Sequence, residues 1–186
     1  MTDRIPTLLV VTGPPASGKT TIAHRLAEVL GWPLLAKDEI KEILFDRLGV
    51  GDRAWSRQLS DATFALQFAF VRCCLAARVS VLLEGNFRAE HAAGLRALAA
   101  SDQPPVQVVC RASVEVLVSR LRARATDPDR HPGHLDAELL TEIPALLAGA
   151  EPLELGGSHY VVDTTQPAEL VERAIDRVIS DLRRTA

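Results

Sequence analysis

Residues 8–21 read LLVVTGPPASGKTT, and within them Gly13, Gly18, Lys19 and Thr20 keep the spacing G-x-x-x-x-G-K-T. That spacing suits a loop whose backbone N–H groups curl around the phosphates of a nucleotide. Gly13 and Gly18 permit the close approach and positive φ that such a curl needs. The whole run Gly13, Pro14, Pro15, Ala16, Ser17, Gly18, Lys19, Thr20, Thr21 is expected to line the nucleotide. Lys19 would reach the β- and γ-phosphates and the Thr20 hydroxyl would help hold Mg²⁺. The flanks agree with this reading. Leu8 to Val11 form an apolar run, as a strand covered on both faces would. Ile22, Leu26, Val29 and Leu30 follow at helical spacing, with the helix dipole starting at the loop and Gly31 closing it.

Working outward, further apolar runs at 33–36, 79–83, 106–110 and 159–162 alternate with helical stretches at 20–30, 38–48, 64–77, 89–99, 114–124 and 168–182. The alternation predicts one α/β domain over residues 1–186, with a parallel sheet, right-handed crossovers and helices on both faces. Ligands then bind beyond the carboxyl ends of the strands. A net charge of −3 gives no global basic field for a long nucleic acid. Cys73, Cys74 and Cys110 form no C-x-x-C motif and read as reduced, mostly buried thiols. No signal peptide and no uninterrupted membrane-length run is evident, Arg72 and Arg78 breaking the nearest one, so a cytoplasmic protein with no membrane partner is expected.

The strand ends carry the candidate chemistry. After the second strand, Asp38 either caps a helix or accepts the proton of an attacking hydroxyl. Lys41, one turn on, either holds an anionic group of the acceptor or is an exposed helical lysine. After the third, Glu84 stands where a metal-holding carboxylate belongs, serving Mg²⁺ or the acceptor. Asn86 and Arg88 follow in the same loop as acceptor-binding candidates. Arg120, Arg124 and Arg130 are expected in an arginine-rich lid, about residues 125–137, that neutralises the γ-phosphoryl. His131 and His134 flank a Pro-Gly turn and lack partners at zinc spacing. His24 and His91 read as surface residues. Thr164, beyond the last strand, either borders the nucleotide base or starts the final helix. Phe64, Phe68, Val71 and Leu75 read as a core-facing row, and the acceptor pocket is expected from helices such as 52–77. No guanine-reading Asn-Lys-x-Asp motif appears, which favours ATP.

With those residues placed, nearly the whole chain, from Leu8 to about Val178, resembles the small P-loop kinases related to adenylate, shikimate and gluconate kinases. It is most similar to the group containing polynucleotide 5′-hydroxyl kinases, zeta-toxin-type kinases and chloramphenicol phosphotransferase. The resemblance implies a P-loop NTPase fold with a five-stranded parallel sheet, ATP with Mg²⁺, and γ-phosphoryl transfer to a hydroxyl. Asp38 falls where the polynucleotide and zeta-type enzymes carry their catalytic aspartate, and Lys41 where they often show arginine. Glu84-Gly85 resembles the zeta-type pattern, Asn86 the polynucleotide-kinase loop, and the arginines from 120 to 130 the lid. The expected function is an ATP-dependent kinase of a small-molecule hydroxyl. The alternatives are a polynucleotide 5′-hydroxyl kinase, with a basic groove at Lys37, Lys41 and Arg88, and a nucleotide switch without an acceptor. The oligomeric state is left open.

Overall fold

The computed structural model describes residues 5–100, 102–134, 138, 140 and 151–185. Its elements in chain order are β1 (Leu8–Thr12), α1 (Lys19–Leu30), β2 (Leu34–Ala36), α2 (Lys37–Leu48), α3 (Arg53–Ala76), β3 (Val81–Gly85), a 3₁₀ turn (Ala89–His91), α4 (Ala92–Leu98), β4 (Val106–Arg111), α5 (Val114–Ala125), β5 (His159–Asp163) and α6 (Ala168–Thr185). The five strands form one sheet in the order β2-β3-β1-β4-β5, every neighbouring pair parallel. The parallel α/β P-loop fold expected from the sequence is the observed one.

β1 lies at the centre of the sheet and is buried along its whole length. Alternate side chains feed two cores, as strand geometry requires. Leu9 and Val11 pack with Ile22 and Leu26 of α1 and Ile175, Val178 and Leu182 of α6. Leu8 and Val10 pack on the other face with Val71 of α3, Phe87 and Leu95. Because the central strands are apolar on both faces, their polar ends alone are free for chemistry.

Several boundaries differ from the sequence reading, each for a local reason. The third strand starts at Val81 because the end of α3 takes up residues 78 and 79. Arg78 adopts a left-handed φ of 61°, its N–H reaches Leu75 O, and Val79 N–H reaches Cys74 O, the pairing of a helix-ending Schellman motif. Glu84 therefore lies inside β3. α3 begins at Arg53, where Asp52 caps Trp55 N–H at 2.9 Å. Its apolar row was legible only from Phe64 onward because Arg53, Ser56, Arg57 and Ser60 face a cavity. α2 begins at Lys37 with Ala36 at the cap, so Asp38 sits in the first turn and is not the N-cap. Cys73 is exposed and Cys74 half-buried, so only Cys110 is a buried thiol. Burial pushes that thiol up to about 12. Among the described residues α3 alone is long and apolar enough by composition to cross a membrane. It packs on α2, β3 and α4, and its inner row of Leu59, Thr63, Gln67 and Val71 is buried.

Gly13 shows how tightly the loop is seated. A Cβ there would lie 2.3 Å from the carbonyl oxygen of Cys110 in β4, and its φ is +152°. Gly13→Ala is expected to cost on the order of 2–3 kcal/mol, lowering the melting temperature by roughly 5–10 °C and nucleotide affinity at least tenfold. Calorimetry and nucleotide titration of the variant check both.

Candidate active site

The loop between β1 and α1 carries the strain its motif predicts. Ala16 has φ +64° and Gly18, at the N-terminal end of α1, φ +81°. Ala16 is the unusual one, since a left-handed alanine costs energy that its surroundings must repay. Arg120 does this. Its Nη1 donates to the Ala16 carbonyl at 3.1 Å and to Thr164 Oγ1 at 2.9 Å, and its Nη2 donates to the Thr164 carbonyl at 3.1 Å. Thr164 Oγ1 in turn donates to Ser17 O at 2.9 Å, and Gly18 packs on its side chain. Both Arg120 and Thr164 sit against the loop. Arg120 is a brace of the loop from outside the cavity, and Thr164 contacts the loop backbone as well as standing at the end of β5.

Lys19 and Thr20 open α1. Lys19 is buried, with Nζ 3.7 Å from Glu84 Oε1, and Thr20 Oγ1 donates to the same oxygen at 3.4 Å. Glu84 Oε2 is buried without a partner. Burial is the largest influence on Glu84 and raises its pKa, with Asp38 repelling in the same direction and Lys19 opposing. A carboxylate beside the Thr20 hydroxyl, with one oxygen unspent, fits a hydrated Mg²⁺ on the phosphate side. Of the two roles left open for Glu84, this placement supports the metal. Pro14, Pro15 and Ser17 complete the loop; Ser17 Oγ is also buried without a partner, whereas Thr21 is exposed.

One cavity of about 540 Å³ joins this loop to the ends of β2 and β3. Pro15, Lys19, Asp38, Lys41, Glu84, Asn86, Arg88, Arg124 and Arg130 all line it, so nine of the predicted site residues share one space. Asp38 is partly open to the cavity. Burial opposes its ionisation most strongly of any single influence, yet Lys37, Lys19, His134 and Arg130 together outweigh it and hold the carboxyl well below the usual range. Lys37 Nζ is 3.5 Å from Asp38 Oδ1, and Arg130 Nη2 is 4.0 Å from Oδ2.

Lys41 is buried, with Nζ donating to Ser56 Oγ at 2.8 Å and lying 5.1 Å from the Phe45 ring centroid. The exposed-lysine alternative is thereby overturned. Desolvation first, then repulsion from Lys37, lowers its pKa to about 8. Asn86 Oδ1 is buried without a partner, and Arg88 is exposed at the cavity mouth. Arg124 and Arg130 face the cavity from α5 and the loop after it. That loop docks on α2. His131 stacks on Phe45 and pairs with Asp46, His134 pairs with Glu42 at 2.6 Å, and Gly133 sits against the Phe45 ring. The two histidines thus hold acids of α2 in place. Residues 135–137 of the expected lid lie outside the described residues.

Lys37, named in the sequence only for the basic groove of the polynucleotide alternative, borders both Asp38 and the Phe64 ring. Other members of the site were misread or missed. His91, read as a surface residue, packs on Phe64 and Phe87 and lines the cavity. Gln67, beside the core row read from Phe64, Phe68, Val71 and Leu75, is fully buried and its Nε2 donates at 2.8 Å to both Leu35 O and Glu84 O. It ties β2, which leads into Asp38, to β3, which carries Glu84. The place of Lys37 next to Asp38 in sequence was the signal for its role beside that carboxylate; a lone polar residue in an apolar helical stretch was the available signal for Gln67.

The sequence profile of the AAA domain family matches residues 8–147. The chain belongs to that family. Among relatives of this AAA-domain chain, a shikimate kinase of Oleidesulfovibrio alaskensis is 32% identical, covering 92% of this chain and 96% of that one. A solved structure of a candidate kinase from Chloroflexus aurantiacus is 34% identical with a TM-score of 0.87, covering 98% of this chain and 100% of that one. A gluconokinase of Sinorhizobium meliloti, 22% identical with a TM-score of 0.58 over 99% of both chains, is alike in fold. The AAA-domain chain is thus a kinase-like P-loop domain with kinases among its relatives.

Proposed function

We propose that the protein transfers the γ-phosphoryl of ATP to a hydroxyl of a small anionic molecule. The observation that carries this reading is the placement of Asp38 and Lys19 in one cavity, a carboxylate and a phosphate-binding ammonium with room for an acceptor. The P-loop amides and Lys19 would hold the β- and γ-phosphates, with Thr20 and Glu84 holding Mg²⁺ through oxygen ligands. When bound, that ion neutralises charge on the phosphate oxygens. Asp38 would orient the acceptor hydroxyl and take its proton as the new O–P bond forms and the bond to the β-phosphate oxygen breaks, releasing ADP. Arg124 and Arg130 would neutralise the transferring group.

The acceptor side of the cavity supports an acid-bearing substrate. Lys41, Arg57 and Arg88 line it, against Asp61 and Glu90 at its edge. Relatives named for shikimate and gluconate are consistent with a hydroxy acid. Lys37 and Lys41 are buried in the cavity wall, with under 10% of each exposed, which favours a small acceptor over a strand following a surface groove. A panel of hydroxy acids and neutral polyols, each incubated with ATP and Mg²⁺ and read by phosphorus NMR, tests this. Phosphate ester on a hydroxy acid supports the reading; ester on neutral polyols alone overturns the anionic part of it.

Lys41 adds a pH signature. Below about pH 8 it is charged and attracts an anion; above, it is increasingly neutral. The KM for the acceptor is therefore expected to rise as pH climbs through about 8 while the KM for ATP stays level, and Lys41→Gln should flatten the acceptor profile.

A further inference from the structure

α3 turns two faces outward from its buried row. One lines the cavity. The other, on the far side of the helix, is apolar and exposed: Ala62, Ala65, Leu66, Ala69, Phe70 and Cys73 stand along it at helical spacing. Leu66 is 39% and Phe70 54% exposed. Large exposed apolar stripes of this kind mark interaction sites on soluble proteins. The stripe also carries a charge pattern. Asp61 and Arg72, both exposed, flank it on the same side, since eleven residues amount to just over three helical turns. Neither makes an ion pair among the described residues.

We propose that this face of α3 binds a second copy of the chain, with the two α3 helices antiparallel about a two-fold axis. The axis would pass by the Leu66–Gln67 peptide, which lies midway between the two charges. A two-fold axis perpendicular to a helix keeps each flank on its own side while reversing direction. Each Asp61 therefore meets Arg72 of the other copy, twice over, as an isologous interface requires. The same operation sets Phe70 of one helix against Ala62 of the other, a large side chain over a small one. Ala65 and Ala69 let the backbones come close, at the 8–10 Å typical of packed helices. An acid and a base on one flank, equally spaced from the Leu66–Gln67 peptide, complement each other across such an axis. A membrane-surface helix carries basic residues along its polar edges, and here one flanking residue is acidic. A stripe this short gives an interface at the small end of the range, so the dimer is weak, with a dissociation constant on the order of micromolar.

Asp61 also lines the acceptor side of the cavity. The partner's Arg72 would thus neutralise an acid at the rim of the site. The dimer itself does not depend on the proposed reaction.

Sedimentation across the micromolar range, with circular dichroism beside it, tests the interface. The wild type should rise from the 20.2 kDa monomer mass towards twice that value. Phe70→Glu, a surface change, should stay monomeric with unchanged helicity. Asp61→Arg should weaken association at least tenfold by opposing Arg72, and Asp61→Arg with Arg72→Asp should restore it. A wild type that stays monomeric at all concentrations overturns the proposal, whether or not it floats with anionic vesicles. So does a dimer that Phe70→Glu leaves intact, or a double reversal that fails to restore one.

Discussion

Replacing Asp38 by asparagine is expected to slow phosphoryl transfer by on the order of 10²–10⁴-fold while leaving ATP affinity within a few-fold of wild type. Asparagine keeps the shape of the side chain and removes only the charge and the proton-accepting oxygen. The nucleotide loop is held separately, by Arg120 and Thr164, so its geometry does not depend on Asp38. The cations that hold Asp38 ionised also make it a weak base. It suits a reaction in which the hydroxyl loses its proton late, as in the loose transition state of phosphoryl transfer. One consequence concerns acid. Since the carboxyl is held well below the usual range, the contribution of Asp38 to rate should persist as pH falls past 4. Rates measured under saturating ATP, with the variant beside the wild type, decide the point. An asparagine variant with full rate would remove Asp38 as the base.

Lys19→Ala should nearly abolish transfer, by roughly 10³-fold or more, because the ammonium that meets the β- and γ-phosphates is gone. The structure adds a second effect. Glu84 is only 1% exposed and Lys19 is its nearest cation. Removing Lys19 takes the strongest opposing cation from a buried carboxylate at neutral pH, a change that costs on the order of 3 kcal/mol when the acid stays charged. The direction with pH follows from linkage. The Glu84 pKa is already raised above 4.5 in the fold, so between 4.5 and its folded value the native state binds more protons than the unfolded one. Stability falls as pH rises through that window. Without Lys19 the window extends upward, and the variant should lose melting temperature more steeply than wild type above pH 4.5. Adding Glu84→Gln should restore the melting temperature at neutral pH without restoring transfer. Recovery of activity in that double variant would mean that Lys19 acts only by supporting Glu84.

The parts of this site legible in the sequence are those whose meaning is local. The loop from Gly13 to Thr20 announces itself because backbone curvature and phosphate contact need those residue types at that spacing. Asp38 and Glu84 were found because a parallel sheet places its strand ends at the ligand. What could not be read depends on partners far along the chain. Arg120 looks like a lid arginine until Ala16 and Thr164, 104 and 44 residues away, are seen to hold it. Lys41 looks solvated until α3 brings Ser56 over it. Gln67 looks like an interruption in a core row until the carbonyls of two neighbouring strands converge on its amide. The upstream half of α3 escaped the apolar count because it lines a cavity, where a helix keeps its period and loses its hydrophobicity.

Transfer of labelled γ-phosphate from ATP in the presence of Mg²⁺ decides whether the protein is a small-molecule kinase. A small-molecule extract and a 5′-hydroxyl oligonucleotide would be offered as acceptors, with Lys19→Ala and Asp38→Asn as controls. Label is expected on a small molecule with the wild type, and almost none with either variant. Label on the oligonucleotide alone, or only as inorganic phosphate while ATP still binds, would contradict that reading.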